Sequence, residues 1–147
     1  MALEVTTIGF TKTNARGFFE RLLAGGVKIL YDVRLHNTSQ LAGFAKADDL
    51  AYFLDKIGSI RYQHQPLLAP TDVMLKAFKR DKGDWREYEQ KFLNLMAERK
   101  IEERFDPSLF EHACLLCSEA TPHHCHRRLV CEYLNGKWSG ALKVKHL

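Results

Sequence analysis

The sequence has no long hydrophobic run. Its apolar stretches fall well short of the ~18 residues that a membrane-spanning helix needs. The opening MALEVTTIGF has no basic region followed by an extended apolar segment, as a secretory signal would. Charge of one sign is scarce too: 22 basic against 18 acidic residues leave a net charge of +4. That excess is compatible with an anionic partner, but it is not the clustered basic stripe of a dedicated nucleic-acid binder. Internal repeats, low-complexity tracts and linkers are missing. Cysteine is absent from everything before Cys114; Cys114, Cys117, Cys125 and Cys131 all fall in the last quarter of the chain. A disulfide scaffold would distribute its cysteines through a small secreted chain. These absences together predict a soluble, cytoplasmic protein with reduced thiols and no membrane association.

What is present fits one domain over residues 1–147. The chain is 46% hydrophobic and 27% charged, an ordinary globular balance, and it is long enough to bury a core without disulfides or metal. Residues 3–10 read as a strand stopped at Gly9. Residues 13–26 read as a helix capped by Thr13, with Phe18, Phe19, Leu22 and Leu23 on its apolar face and Gly25 and Gly26 ending it. The nearly continuous apolar run at 27–33 predicts a parallel strand covered on both faces, which completes a strand–helix–strand unit. Beyond a polar loop at 34–47 come a helix at 48–58 capped by Asp48 and a strand at 60–68 limited by Pro66. Helices follow at 70–83, starting from Thr71, and at 84–103. A buried strand at 111–117, a helix at 122–136 and a strand at 141–147 finish the chain. This alternation predicts an α/β fold: a mainly parallel sheet flanked by helices, a Rossmann-like three-layer sandwich.

In such folds ligands bind beyond the carboxyl ends of the strands. That rule gathers Thr11 after the first strand, Asp32 and Arg34 at the end of the second, and Cys117 and Glu119 at the end of the third. The stretch CSEATPHHCHRR, from Cys117 to Arg128, adds Cys125, His126 and Arg127. Thr121 and Pro122 read as the cap and first residue of the following helix. His123, His124 and Cys125 would then lie in a first turn, where free N–H groups and a positive dipole favour anions and thiolates. On this helix His126 shares an inner face with Leu129, Val130 and Tyr133, while Arg127 and Arg128 point elsewhere. Asp32 and Arg34 alternate and so share a face, either as an ion pair or toward a ligand. Tyr62 and His64 read as packing residues, Cys114 and Cys131 as small core residues, and the aromatic stripe at 85–96 as a core-facing helix.

Other chemistries fit the spacing less well. No metal site is assigned: Cys114 and Cys117 look like a CxxC pair, but residues three apart in a strand face opposite ways, and no second CxxC or HxxxH follows. Zinc at Cys117, Cys125 and a histidine is kept as an alternative. The DVR at 32–34 resembles a strand of rhodanese domains, which would imply sulfur transfer. A rhodanese loop, however, rings an anion with backbone N–H groups and places arginine a few residues after the cysteine. Here Arg127 comes ten residues after Cys117, with Pro122 between.

The motifs TIGF (7–10), DVR (32–34), NTSQLAGFAK (37–46), LLAPT (67–71), DWREYEQKF (84–92) and LLCSEATPHHCHRRLV (115–130) carry a resemblance. The chain resembles, essentially end to end, the bacterial and archaeal domain-of-unknown-function family numbered 488. The resemblance implies an α/β fold with a functional edge near Asp32, Arg34, Cys117, Glu119, Cys125, His126 and Arg127, and it implies no activity. Many members carry histidine where this chain has Phe10. The sequence therefore predicts a strand-end cleft for an anionic, phosphate-bearing ligand, a nucleotide or nucleic acid among the candidates. Arg34, Arg127 and Thr11 would contact the anion. Cys117 or Cys125 would serve as the reactive thiol and His126 would exchange protons, with Glu119 or Asp32 holding His126 or an arginine. A metal-binding or DNA-associated module without catalysis is the rival. No resident cofactor is called for.

Overall fold

A computed structural model describes residues 3–36, 43–80, 83–118 and 125–147. The strands are β1 (Leu3–Gly9), β2 (Ile29–Asp32), β3 (Arg61–His64), β4 (Ala113–Cys117) and β5 (Leu142–His146). They form one parallel sheet in the order β3-β2-β4-β1-β5. Helices α1 (Ala15–Ala24) and α2 (Ala47–Gly58) join the first three strands. Helices α3 (Asp72–Leu75), α4 (Trp85–Arg99) and α5 (Ile101–Arg104) lie between β3 and β4, and α6 (His126–Lys137) leads to β5. This is the three-layer α/β arrangement the alternation predicts. No described helix is long and apolar enough to cross a membrane.

Two apolar layers follow from the strand period of two. Phe18, Phe19, Leu22, Leu50 and Leu54 from α1 and α2 meet Ile8, Leu30, Cys114 and Leu116 on one face of the sheet. Phe92, Met96, Leu129, Val130 and Leu134 from α4 and α6 meet Val5, Tyr31, Leu115 and Cys117 on the other. Cys114 and Cys117 therefore face opposite layers, as their spacing in a strand requires.

The strand order fixes where a ligand can enter. From β2 the chain leaves through α2 on one face toward β3; from β4 it leaves through α6 on the other face toward β5. The connections diverge between these neighbours and leave a crevice beyond their carboxyl ends, the topological switch point of an open parallel sheet. Asp32 pairs in register with Leu116, one residue before Cys117, so both sit on this edge.

Several element boundaries differ from the sequence reading, each for a local reason. Asn14, not Thr13, caps α1: its side chain accepts from Gly17 N at 2.8 Å, while the Thr13 hydroxyl receives Arg21 Nη2. Asp48 lies in the first turn of α2 rather than at its cap. The 60–68 segment is strand only to His64, since Pro66–Leu68 is a 3₁₀ turn. The helix starting after Thr71, whose hydroxyl does accept from Met74 N, passes into a π-helical turn over Lys76–Arg80. Gly83 follows it so closely that a Cβ there would stand 2.7 Å from the Ala77 carbonyl oxygen. The 84–103 helix is broken by Lys100, which takes a left-handed φ of 51°. The described part of the final helix begins at His126, with Cys125 in extended backbone before it; the helix start expected at Thr121 and Pro122, with His123 and His124, lies outside the described residues.

Candidate functional site

The site starts from a strand that cannot continue and a helix that starts beside it. β4 ends at Cys117, and α6 starts with Cys125 as its N-cap residue, in extended backbone and with no capping hydrogen bond from its side chain. Cys117 Sγ, Cys125 Sγ and a ring nitrogen of His126 all lie within 4.8 Å of one another, and all three residues are buried. His126 Nε2 is 2.5 Å from the Val33 carbonyl oxygen. A carbonyl only accepts, so Nε2 carries the hydrogen and donates it. That leaves Nδ1, 3.5 Å from Cys117 Sγ, as the nitrogen that exchanges a proton with the thiol.

The electrostatics separate the two sulfurs. Burial opposes ionisation of Cys117, but the Cys125 thiol donating to it, the His126 charge beside it and the Arg127 charge hold it well below the usual thiol range. The start of α6 adds its positive end. Burial, reinforced by the hydrogen bond and negative charge of Cys117, pushes Cys125 well up. Burial works against charge on His126, yet the Cys117 thiolate more than offsets it and raises the imidazole above its ordinary value. These directions favour charge separation between Cys117 and His126, with Cys125 favoured as the protonated thiol that donates to Cys117. The sequence leaves either Cys117 or Cys125 as the reactive thiol. Only Cys117 is favoured as the anion, and the two are buried to 4% and 2% exposure. What distinguishes them from Cys114 and Cys131, both pushed to about 12 by burial, is a cavity.

That cavity of about 60 Å³ has Arg34, Leu35, Cys117, Ser118, Cys125 and His126 on its strand-end side. Leu75, Phe78, Trp85 and Tyr88 form the opposite wall. Trp85 and Tyr88 stack with ring centroids 5.2 Å apart. Phe78 packs edge-to-face with Trp85 at 5.4 Å and tilted against Tyr88 at 5.1 Å. Burial, then the charges of Cys117 and Cys125, push the Tyr88 hydroxyl far up, so it stays protonated. The aromatic stripe divides along α4: Phe92 and Met96 are core, as expected, while Trp85 and Tyr88 face the cavity. The polar DWRE opening of α4 was the available signal. The Val33 carbonyl, a backbone group, leaves no trace in a residue pattern.

Next to this cluster stands a second one. Asp32 is completely buried and accepts four hydrogen bonds: from Arg34 N, Nε and Nη2 at 3.1, 2.8 and 2.8 Å, and from the Tyr62 hydroxyl at 2.6 Å. Arg34 Nη2 also donates to the Ala45 carbonyl, and His64 Nε2 donates to the Arg34 carbonyl. Arg34 Nη1 is buried and has no hydrogen-bond partner among the described residues. The guanidinium carbon lies 5.3 Å from the centre of the Phe10 ring, so this position gives the site an aromatic face and no base. Tyr62 and His64 thus hold the end of β2 through hydrogen bonds, beyond the simple packing expected of them.

Two further residues lie away from the cavity. Thr11 donates from both Oγ1 and N to the Ser118 carbonyl and ties the end of β1 to the residue after β4. Arg127, expected to point away from the inner face, is entirely buried; its Nε donates to Thr7 Oγ1 at 3.2 Å. The reason is that Arg127 falls on the stripe of α6 that also carries Val130, Cys131 and Leu134, three, four and seven residues on, and this stripe faces the sheet. Glu119 lies outside the described residues.

A family model described as "Domain of unknown function DUF488" matches residues 14–134. No curated protein and no solved structure matches the chain.

Proposed function

Because the chain belongs to the DUF488 family, whose description names no activity, we propose its function from the site alone: a thiolate-dependent site in which Cys117 attacks an electrophilic centre on a small anionic ligand. The observation that carries the reading is the 3.5 Å approach of His126 Nδ1 to Cys117 Sγ, with Nε2 occupied by Val33. A nucleophile, a proton partner and a group that fixes the tautomer of that partner are the parts a cysteine nucleophile needs. His126 Nδ1 would hold the proton beside the thiolate and release it to the leaving group. The unmatched Nη1 of Arg34 supports an acceptor oxygen on the ligand, with Asp32 holding that arginine in place rather than touching the ligand. A cavity of about 60 Å³ has the room of about two waters at ~30 Å³ each. It suits a head group of a few heavy atoms, such as part of a phosphate, with the remainder of a nucleotide-sized ligand lying along Trp85 and Phe78. Thr11 and Arg127 support the site from beneath, by bracing the β1–β4 edge and by positive charge.

The test is alkylation by iodoacetamide at pH 7, mapped by mass spectrometry, with and without inorganic phosphate or a nucleoside monophosphate. Cys117 should react at least about 100-fold faster than Cys114 and Cys131, and the anions should slow it. An inert Cys117 would sink the thiolate reading; a reactive Cys117 indifferent to both anions would sink the ligand class.

A second reading has its own observation. Two sulfurs and a ring nitrogen within 4.8 Å, with the other nitrogen of the ring tied to a carbonyl, are also a donor set with the outer-shell support metal sites use. Zinc would be held by Cys117, Cys125 and His126 with a fourth position open to the cavity. Stoichiometric zinc in the purified protein, and loss of Cys117 alkylation when zinc is added, would favour this reading.

A further inference from the structure

The nucleophile reading leaves one buried thiol without a role. Cys125 is not the sulfur that His126 is placed to deprotonate first, yet it lines the same cavity and its sulfur lies within 4.8 Å of Cys117 Sγ. Its side chain caps nothing at the head of α6, so turning it toward Cys117 breaks no capping hydrogen bond. Cys117, by contrast, is held in β4, registered between Gly9 of β1 and the end of β2. One sulfur fixed in a strand and a second at a helix start, already hydrogen-bonded to it, at a shared opening are the parts of a two-cysteine redox centre. Cys114 and Cys131 have no share in it: neither borders the cavity.

We propose that Cys117 and Cys125 are a hydroperoxide-responsive pair that closes reversibly into a disulfide and so switches the site off. The proposal rests on the reading of Cys117 as the reactive thiol. Cys117 Sγ forms a bond to the outer oxygen of the hydroperoxide as the O–O bond breaks; the departing alkoxide takes the proton from His126 Nδ1. The peroxide is reduced by two electrons and the sulfur becomes a sulfenic acid. His126 Nδ1, now free, accepts the proton of Cys125. Cys125 Sγ then attacks Cys117 Sγ: the S–S bond forms, the S–O bond breaks, and the leaving hydroxide collects the proton from His126 to become water. In sum, one hydroperoxide and two thiols give one alcohol, one water and one disulfide. A dithiol reductant reverses the change by exchange at the disulfide. While closed, the pair offers neither a nucleophile to a ligand nor two thiolates to a metal.

The experiment treats the protein with hydrogen peroxide, blocks remaining thiols with iodoacetamide, and maps all four cysteines by mass spectrometry. The expected product is a Cys117–Cys125 disulfide that dithiothreitol fully reverses, with Cys114 and Cys131 still alkylatable after denaturation. C125S should stop at the Cys117 sulfenic acid, trapped by dimedone, and pass on to the sulfinic acid with excess peroxide. C117S should leave Cys125 unoxidised. Over-oxidation of Cys117 in the native protein with no disulfide would overturn the proposal while leaving Cys117 a reactive thiolate, as would faster oxidation of Cys125 in C117S. A Cys117 inert to both peroxide and iodoacetamide would instead overturn the reading beneath it.

Discussion

Two polar clusters stand at the carboxyl ends of the neighbouring strands β2 and β4, and they differ in how many of their interactions are already made. Asp32 has four donors on its two oxygens, about the full capacity of a carboxylate. Cys117 has one imidazole and one thiol around a sulfur held well below the usual thiol range, and an opening beside it. A saturated carboxylate is a brace: it fixes the end of β2 and the arginine above it, and its own oxygens have nothing left for a ligand to contribute. An unsaturated one, with the cost of its burial met by only two neighbours, is where a ligand or an oxidant has something to offer. The single donor of the first cluster that lacks a partner, Arg34 Nη1, belongs to the residue that the two clusters share across the cavity.

That contrast can be broken by experiment. The largest effect expected is for Asp32→Ala, which leaves the Arg34 charge buried without its partner: a loss of about 3–5 kcal/mol in urea unfolding. Tyr62→Phe removes one of the four donors to the carboxylate and should cost about 1.5–3 kcal/mol in the same measurement. His126→Ala acts on the other cluster, through pH. Cys117 alkylation falls as pH drops through its lowered pKa. Without the imidazolium the thiolate loses a charge partner, so the midpoint should move upward toward the ordinary ~8.5 and the rate at pH 7 should drop by about tenfold or more. Thr71→Ala removes the cap of α3, which carries Leu75 to the cavity, and should cost about 1 kcal/mol with little change in Cys117 reactivity. Cys117→Ala should be the mildest for folding, at about 1 kcal/mol or less, while abolishing the fast alkylation. If it cost as much as Asp32→Ala, Cys117 would be a brace as well.

The α/β frame was legible because it depends on periods that the residues display. The apolar run before Asp32, the ACLLC of β4 and the helical spacing of Phe18, Phe19 and Leu22 each state a buried face. Facing of Cys114 and Cys117 to opposite layers followed from the strand period alone. Gathering of Cys117, Cys125, His126, Asp32 and Arg34 at one edge followed from their places at or just after the carboxyl ends of strands read as parallel. What stayed hidden depends on atoms that residue types do not announce. The tautomer of His126 is set by a backbone carbonyl at Val33. The inward turn of Arg127 follows from a helix start at His126, which puts Arg127 on the sheet-facing stripe with Val130, Cys131 and Leu134 and within reach of Thr7. The π turn at Lys76–Arg80, which brings Phe78 onto the cavity, has no side-chain period of its own. Thr13 and Asn14 were equally good caps by composition, and only the demand of Arg21 for the Thr13 hydroxyl chose between them.

The position of β1 inside the sheet has a consequence for synthesis of the chain. β1 is made first, but both its neighbours are made last: Thr6 pairs with a strand 107 positions away, and Thr7 meets His146 across 139. Contacts this distant in sequence slow folding, because the chain loses the entropy of a long loop before the contact rewards it. On the ribosome the sheet cannot close until the last strand has emerged. Until β4 emerges β1 has no partner strand, and until α6 follows Cys117 and Cys125 have no cavity to shelter them. The nascent chain therefore passes through a stage in which the Cys117 and Cys125 sulfurs are exposed and its edges are unpaired, the state in which chaperone capture and misoxidation compete with folding.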